Sequence, residues 1–259
     1  MATAENATAK TNQVHLILQG KGGVGKSLIA AILGQYFQHR KNAPHCFDTD
    51  PVNATFAQYQ ALGAEHINVL RRGAIHDKRF DELFEKICQL DGVCIVDTGA
   101  TTFVPLWNYI LENEILTFLA GHSRRVFVHS VVAGGQAMTE TLNGFERLAQ
   151  TTTEKNVIVW LNEYFGEVAK DGKPFEQFRV AEEQAHKLLG TVVIRERNPN
   201  TYGDDMRQMS KRLTFEEAIR LAEFSLVSKQ RLTIIRRELF EQLDRIEMES
   251  PCVNQAALM

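Results

Sequence analysis

The stretch Gly20-Lys21-Gly22-Gly23-Val24-Gly25-Lys26-Ser27 constrains this chain more than any other. It fits the pattern Gly-x-x-x-x-Gly-Lys-Ser/Thr in full. An apolar run at residues 14–19 precedes it. A helical stretch at residues 27–39 follows, with Leu28, Ile29, Ile32, Leu33, Tyr36 and Phe37 on its apolar positions. Strand, glycine-rich turn and helix in that order are the context in which such a turn holds phosphate. Glycines let the backbone curl until its N–H groups face phosphate oxygens. The positive end of the following helix adds to the attraction. Lys26 is placed to reach β- and γ-phosphates, and the Ser27 hydroxyl to hold Mg2+. The loop also carries Lys21, a second lysine that the pattern does not require.

The rest of the chain alternates short apolar runs with longer helical stretches. That alternation predicts an α/β fold of the P-loop type, a mostly parallel sheet flanked by helices on both faces. Strands are expected at 14–19, 45–48, 67–71, 92–97, 125–132, 156–162 and 191–194. Helices are expected at 27–39, 77–89, 136–149, 175–189 and 225–247. The last helix carries Leu232, Ile235, Leu239, Leu243 and Ile246 on one stripe. Its polar face mixes Glu and Asp with Arg, which favours packing on the sheet over lying on a membrane. The 259 residues suit one large domain or two small ones. The expected division is a disordered tail over 1–13, a single P-loop ATPase domain over 14–248, and a flexible tail over 249–259.

Composition narrows the partners. A formal net charge of −3 gives no whole-chain basic field for nucleic acid. No apolar run approaches the roughly 18 residues that a membrane span needs, so stable membrane insertion is not expected. The polar, small-residue start lacks the apolar centre of a signal peptide. Cys46, Cys88, Cys94 and Cys252 show no zinc spacing, and the first three sit among apolar neighbours. Buried thiols in a reducing cytoplasm are the expectation.

Three carboxylates belong with the loop. Asp48 and Asp50 stand in Phe47-Asp48-Thr49-Asp50-Pro51, at the end of the second strand, and Asp97 ends Val93-Cys94-Ile95-Val96-Asp97. In a parallel sheet the carboxyl ends of adjacent strands share one crevice. One of Asp48 and Asp50 can serve the metal's water shell while the other faces the attacking water. Asp97 holds the position of the outer metal partner. Asn162, ending another strand, either hydrogen-bonds a purine ring or serves as a turn residue.

These residues resemble the deviant Walker A ATPases, the ParA, MinD and nitrogenase-iron-protein relatives within the phosphate-loop class. The lysine opening KGGVGKS, the DTDP segment and the IVDTGA strand end carry the likeness. The resemblance implies a parallel seven- or eight-stranded sheet, and ATP with Mg2+ as ligands bound by Gly20 to Leu28. It also implies a homodimer closed by ATP, in which Lys21 crosses to the partner's phosphates. Lys26 and Ser27 match the cis lysine and the Mg2+ ligand. Asp50 matches the aspartate that orients water, Asp48 and Asp97 the metal-shell acids, and Asn162 the adenine contact. LQGKGGVGKS, DTDPVNATF, FVPL, VAGGQA, VWLNEYFG, TYGDD, RLTFEEA and QRLTIIRRELFEQL further resemble the TraL and StbB type ATPases of conjugative plasmids. That likeness runs from about Leu18 to Leu243 and implies work in plasmid transfer or stable inheritance, with plasmid-encoded partner proteins. The chain departs from the wider group in two places. Asp50-Pro51-Val52-Asn53 is one residue shorter than the usual DPQGN, and Thr98-Gly99 replaces the proline that often follows the second acidic strand. Gly99 either lets a backbone N–H approach a phosphate or makes a simple turn.

The leading expectation is therefore an ATP-hydrolysing dimer switch. The alternatives are an ATP-gated scaffold with negligible turnover, and a small-molecule ligase or kinase on the same fold. The latter needs an acceptor motif that the sequence does not display. Basic pairs at Arg71-Arg72, Lys78-Arg79, Arg124-Arg125, Lys211-Arg212 and Arg236-Arg237 are either ordinary surface or, aligned in a dimer, a grip on the DNA backbone.

Overall fold

The computed structural model describes residues 12–152, 155–209 and 212–248. In chain order its first elements are β1 (Asn12–Leu18), α1 (Lys26–His39), β2 (His45–Asp48) and β3 (Glu65–His66). A small hairpin, β4 (Leu70–Arg71) and β5 (Ala74–Ile75), precedes α2 (Arg79–Gln89) and β6 (Val93–Asp97). Then come α3 (Ala100–Glu112), α4 (Ile115–Gly121), β7 (Arg124–Ala133), α5 (Met138–Thr151) and β8 (Val157–Asn162). A second hairpin, β9 (Ala169–Lys170) and β10 (Lys173–Pro174), leads to α6 (Arg179–Glu183) and β11 (Leu188–Ile194). The chain closes with α7 (Tyr202–Met209), α8 (Phe215–Arg220) and α9 (Leu226–Asp244).

Seven strands form one sheet in the order β11-β8-β7-β1-β6-β2-β3. Every pair in it is parallel. Alternation along the strands serves two cores. On β1, Val14, Leu16 and Leu18 pack with Leu83, Phe84 and Ile87 of α2 and Leu106 of α3. Ile17 faces the other way, into the core of α1, α8 and α9. Around β8, Val157, Val159 and Leu161 meet Phe145 of α5, while Ile158 and Trp160 face the α9 side. Such two-sided burial explains why the strands read as unbroken apolar runs.

The expected stripe is buried: Leu232, Ile235, Leu239 and Leu243 of α9, and Ile246 just past the helix end at Asp244, short of the expected 247, are each at most 7% exposed. Gln242 of the same helix grips the edge strand, its Oε1 accepting from Val193 N at 2.8 Å and its Nε2 donating to Val193 O at 3.1 Å. An edge held in this way does not offer that pair of groups to another chain. No helix among the described residues is long and apolar enough to cross a membrane.

Several expectations need correction. The strand expected at 67–71 is not one. Its neighbours Glu65 and His66 pair with β2 instead. Asn68 then accepts from Leu70 N at 3.0 Å and turns the chain into the β4–β5 hairpin. The helix expected at 175–189 is broken. Phe175 and Ala181 bury against the β8 side of the sheet, α6 stops at Glu183, and β11 begins at Leu188, earlier than expected, to pair with Val157. The first strand starts at Asn12, inside the expected tail. The remainder of that tail, Cys252 and the rest of 249–259 lie outside the described residues. Cys46 and Cys94 are buried, and burial pushes both thiols up to about 12. Cys88, at the last turn of α2, is only partly buried.

Candidate functional site

The carboxyl ends of β1, β2, β6, β8 and β11 open onto one cleft of about 860 Å3. That is ample for a nucleotide-sized ligand. Gly22, Gly23, Gly25, Lys26 and Ser27 line it, with Leu28 on the first turn of α1. Asp50 and Asn162 line it as well. Gly20, Lys21, Val24, Asp48 and Asp97 do not reach its wall and act from behind or beside it.

The loop conformation follows from its glycines. Gly25 has φ 101° and Gly23 φ 74°, left-handed values that side chains disfavour. Gly25 is also the N-cap of α1, and no side chain caps that end. The first N–H groups of the helix are thus left to a ligand in the cleft. Lys26 is 7% exposed and folds back, its Nζ donating to Lys21 O at 3.0 Å. Burial lowers the Lys26 pKa, while the charges of Asp97 and Asp50 hold it up. Lys21 points elsewhere: its Nζ lies 2.8 Å from Glu140 Oε2 on α5.

The acids divide by environment. Asp97 is fully buried, and its Oδ1 accepts from Thr98 N at 3.0 Å. Its Oδ2 has no hydrogen-bond partner among the described residues. Burial pushes its pKa up to about 7; the Ser27 hydroxyl draws it down, the Asp48 charge raises it and Lys26 lowers it. Asp48 is buried beside Asp97 in the sheet register. Both its oxygens are taken by its own loop, from Asp50 N at 2.9 Å and Ala57 N at 3.0 Å. Burial raises its pKa and those backbone N–H groups oppose the rise. Asp50 Oδ1 accepts from Val52 N at 2.9 Å and Asn53 N at 3.2 Å. Gly99 packs against it: a Cβ there would lie 2.7 Å from Asp50 Cγ. The glycine makes room for the aspartate, a third explanation besides the two the sequence offered.

Asn162 ties the loop to the sheet. Its Nδ2 donates to Val24 O at 2.9 Å and its Oδ1 accepts from Tyr164 N at 3.1 Å. One donor hydrogen and one lone pair remain on the amide for a ligand. Sequence reasoning passed over Glu140, Gln19 and Tyr59, and read Arg212 only as half of a basic pair, not as part of the cleft. Gln19 donates to Val131 O at 2.7 Å and Thr141 O at 3.1 Å, bracing β1 against β7 and α5 just before the loop. Tyr59 and Arg212 line the cleft from loops with no motif of their own.

Among the described residues no group of three or more His, Cys, Asp and Glu could hold a metal alone. That suits Mg2+, which is held by one or two side chains with phosphates and water completing the shell. The buried, unpartnered Asp97 Oδ2 beside Ser27 and the open N-terminus of α1 fit a nucleotide with its metal.

The basic pairs fare unequally. Arg124 is buried and donates to Cys88 O at 2.9 Å, and Arg125 lies 4.8 Å over the Phe127 ring. Arg236 pairs with Glu216 at 2.9 Å. Arg71, Arg72, Lys78 and Arg79 are exposed. Lys211 lies outside the described residues.

Two proteins named TraL from Escherichia coli are 41% and 40% identical to this chain over 234 residues, covering 90% of it and 97% of each relative. Two solved structures share the fold. The MinC:MinD cell division complex of Aquifex aeolicus covers 88% of this chain and 96% of its own, at TM-score 0.51 and 12% identity. MinD of the same organism covers 88% and 97%, at TM-score 0.50 and 13% identity. The profile of the CobQ/CobB/MinD/ParA nucleotide-binding domain matches residues 15–222. The chain belongs to the CobQ/CobB/MinD/ParA nucleotide-binding domain family, and within it is similar to the TraL proteins.

Proposed function

We propose that this chain is a Mg2+-dependent ATPase whose nucleotide state governs pairing with a second copy, in the service of plasmid transfer or stable inheritance. The observation that carries the reading is the divergence of the two loop lysines. Lys26 folds into its own loop, while Lys21 reaches out to Glu140. Similarity to the TraL proteins supports the plasmid setting. Bound Mg2+-ATP would supply a γ-phosphoryl group whose charge the metal helps to neutralise. The loop N–H groups and Lys26 hold the phosphates in cis. Ser27 and Asp97 flank the metal position. Asp48 keeps the following loop closed, and Asp50 on that loop orients water. Lys21, carried to a partner's site, would place positive charge where negative charge develops on the phosphate oxygens during transfer; an arginine in that role is worth about 10³–10⁵ in rate. Arg71, Arg72, Lys78 and Arg79 are the exposed cations with which such a pair would meet the DNA backbone. The Lys21→Ala variant tests the reading, with ATP binding and dimer formation measured separately. ATP binding should persist while ATP-dependent pairing and turnover fall. Unchanged pairing and turnover would discard the trans role.

One observation favours a second reading, an ATP-gated scaffold with negligible turnover. Asp50 Oδ1 already caps its own turn through Val52 N and Asn53 N. Phosphate release by the purified protein, alone and with DNA, separates the two. Turnover abolished by Asp50→Asn rules out the scaffold.

A further inference from the structure

The wall of the cleft holds a cation and a hydroxyl that the loop motifs do not account for. Tyr59 lies just beyond residues 50–55, the switch segment that follows β2, and is 3% exposed, yet it lines the cleft. Its hydroxyl has no hydrogen-bond partner among the described residues. The ring is buried, and the unpartnered hydroxyl keeps a donor and an acceptor for a ligand in the cleft. Arg212, in the linker between α7 and α8, lines the same cleft. Its charge reaches the Tyr59 phenol, lowering a pKa that burial raises. Arg212 Nε donates to Gln58 Oε1 at 2.8 Å, and Gln58 Nε2 donates to Asn53 O at 3.1 Å. The guanidinium is therefore fastened to the switch segment from a linker more than 150 residues away in sequence (|i−j| = 154). Arg212 adopts φ 75°, a left-handed value in a residue with a side chain. Such strain persists where the surroundings enforce it, and it concentrates at ligand clamps.

We propose that Tyr59 and Arg212 form a second polyphosphate-binding wall of the cleft, supplied from outside the glycine loop, with Gln58 coupling it to the switch segment. The ligand class is the phosphate chain of a nucleoside di- or triphosphate. The proposal rests on nucleotide binding at this cleft. Arg212 contributes charge-assisted donors to phosphate oxygens and Tyr59 a neutral hydroxyl donor. Because Gln58 also touches Asn53, the wall and the switch segment are physically joined.

Calorimetric titration with ATP, tripolyphosphate and adenosine tests this on the full chain, using wild type, Lys26→Ala, Arg212→Gln, Arg212→Lys and Tyr59→Phe. Arg212→Gln should weaken ATP and tripolyphosphate by about 10- to 100-fold, the loss typical of a hydrogen bond to a charged group. Adenosine affinity should stay within twofold, and Arg212→Lys should recover part of the loss. Tyr59→Phe, which removes only the hydroxyl, should cost about 3- to 10-fold on both phosphate ligands and covers the case in which Arg212→Gln does not fold. An affinity for tripolyphosphate within twofold of wild type in either variant overturns the proposal, as does an equal loss for adenosine. If Lys26→Ala weakens ATP while Arg212→Gln and Tyr59→Phe do not, the second wall alone fails. If wild type takes up neither ATP nor tripolyphosphate, nucleotide binding itself fails and the wall with it.

Discussion

Lys21 Nζ stands 2.8 Å from Glu140 Oε2, so the lysine that the phosphate pattern does not need is held by α5 of its own chain. The two side chains are 41% and 59% exposed. An ion pair that open contributes about 0–1 kcal/mol, too little to fix Lys21 but enough to compete with a partner for it. Glu140→Gln removes the competitor without touching the cleft. Two such pairs are given up per dimer, so the variant's ATP-dependent dimer should dissociate at a concentration up to about thirtyfold lower than wild type, the equivalent of about 2 kcal/mol. Thermal stability should be nearly unchanged. Sedimentation equilibrium with a non-hydrolysable analogue checks this; a weaker dimer would mean that Glu140 helps the interface rather than restraining it.

Gly99 is held to glycine by a neighbour rather than by its own backbone. Its conformation, φ −67° and ψ 156°, is open to any residue. Yet an added Cβ would fall 2.7 Å from Asp50 Cγ and 3.1 Å from Asp50 Cα. Gly99→Ala should displace the Asp50 turn at an overpacking cost of about 1–3 kcal/mol. Turnover should drop at least tenfold, with ATP affinity changed far less, because the phosphate cradle lies on other residues. Kinetics and binding measured side by side decide it; equal losses in both would place the strain on the loop instead.

Asn162 clamps the phosphate loop through Val24 O and anchors the turn beyond β8 through Tyr164 N. Asn162→Ala leaves that buried carbonyl and that N–H without partners, which costs about 1–3 kcal/mol each when water does not replace the amide. The variant should lose stability and should bind tripolyphosphate, which has no base, more weakly as well as ATP. Loss confined to ATP would restrict Asn162 to a base contact.

The glycine loop was legible because its chemistry is local: strand, glycines and helix follow one another, and Gly23 and Gly25 adopt the conformations that only their sequence permits cheaply. The parallel sheet was legible for the same reason, since two-sided burial leaves runs such as Val93–Asp97 in plain view. What the sequence hid depends on contacts across the fold. Lys21 and Glu140 lie on separate elements, as do Arg212 and Gln58, and no spacing rule joins them. The segment at 175–189 has helical spacing, but Leu188 gains more by pairing with Val157 in the sheet than by extending a helix. α3 carries Phe103, Leu106, Trp107 and Ile110 inward while Val104 and Leu111 stay exposed, so its apolar residues run nearly all round and mark no face.

The sheet interior sets a pH limit on stability. Trp160 Nε1 donates to His129 Nδ1 at 2.9 Å, and an indole N–H can only donate. His129 must then carry its proton on Nε2, 2.9 Å from His15 Nδ1. His15 in turn donates from Nε2 to Gln13 Oε1 at 3.2 Å, and Gln13 donates to Met248 O at 3.1 Å. Each ring in this relay is neutral, and a second proton on either would set two donors face to face. Burial lowers His129 to about 3 and, with the charges of His129 and Arg125, takes His15 well below its usual value. The folded chain thus binds fewer protons than the unfolded one below about pH 6.5, and stability falls as pH drops from there toward the folded values. The loss is at most about 1.4 kcal/mol per pH unit for each histidine. Asp97 works in the opposite direction: its folded pKa is raised to about 7, so the cost of its charge is full above that pH and is relieved as pH falls toward 4. Urea unfolding of the Asp97→Asn variant between pH 8 and 5 removes the Asp97 contribution and leaves the histidines opposed by Asp48, whose pKa burial also raises, and its midpoint should fall below pH 6.5. Adding His15→Phe and His129→Phe should flatten that dependence, whatever it does to stability at pH 8. A slope that survives the loss of both rings would assign the acid sensitivity to other groups.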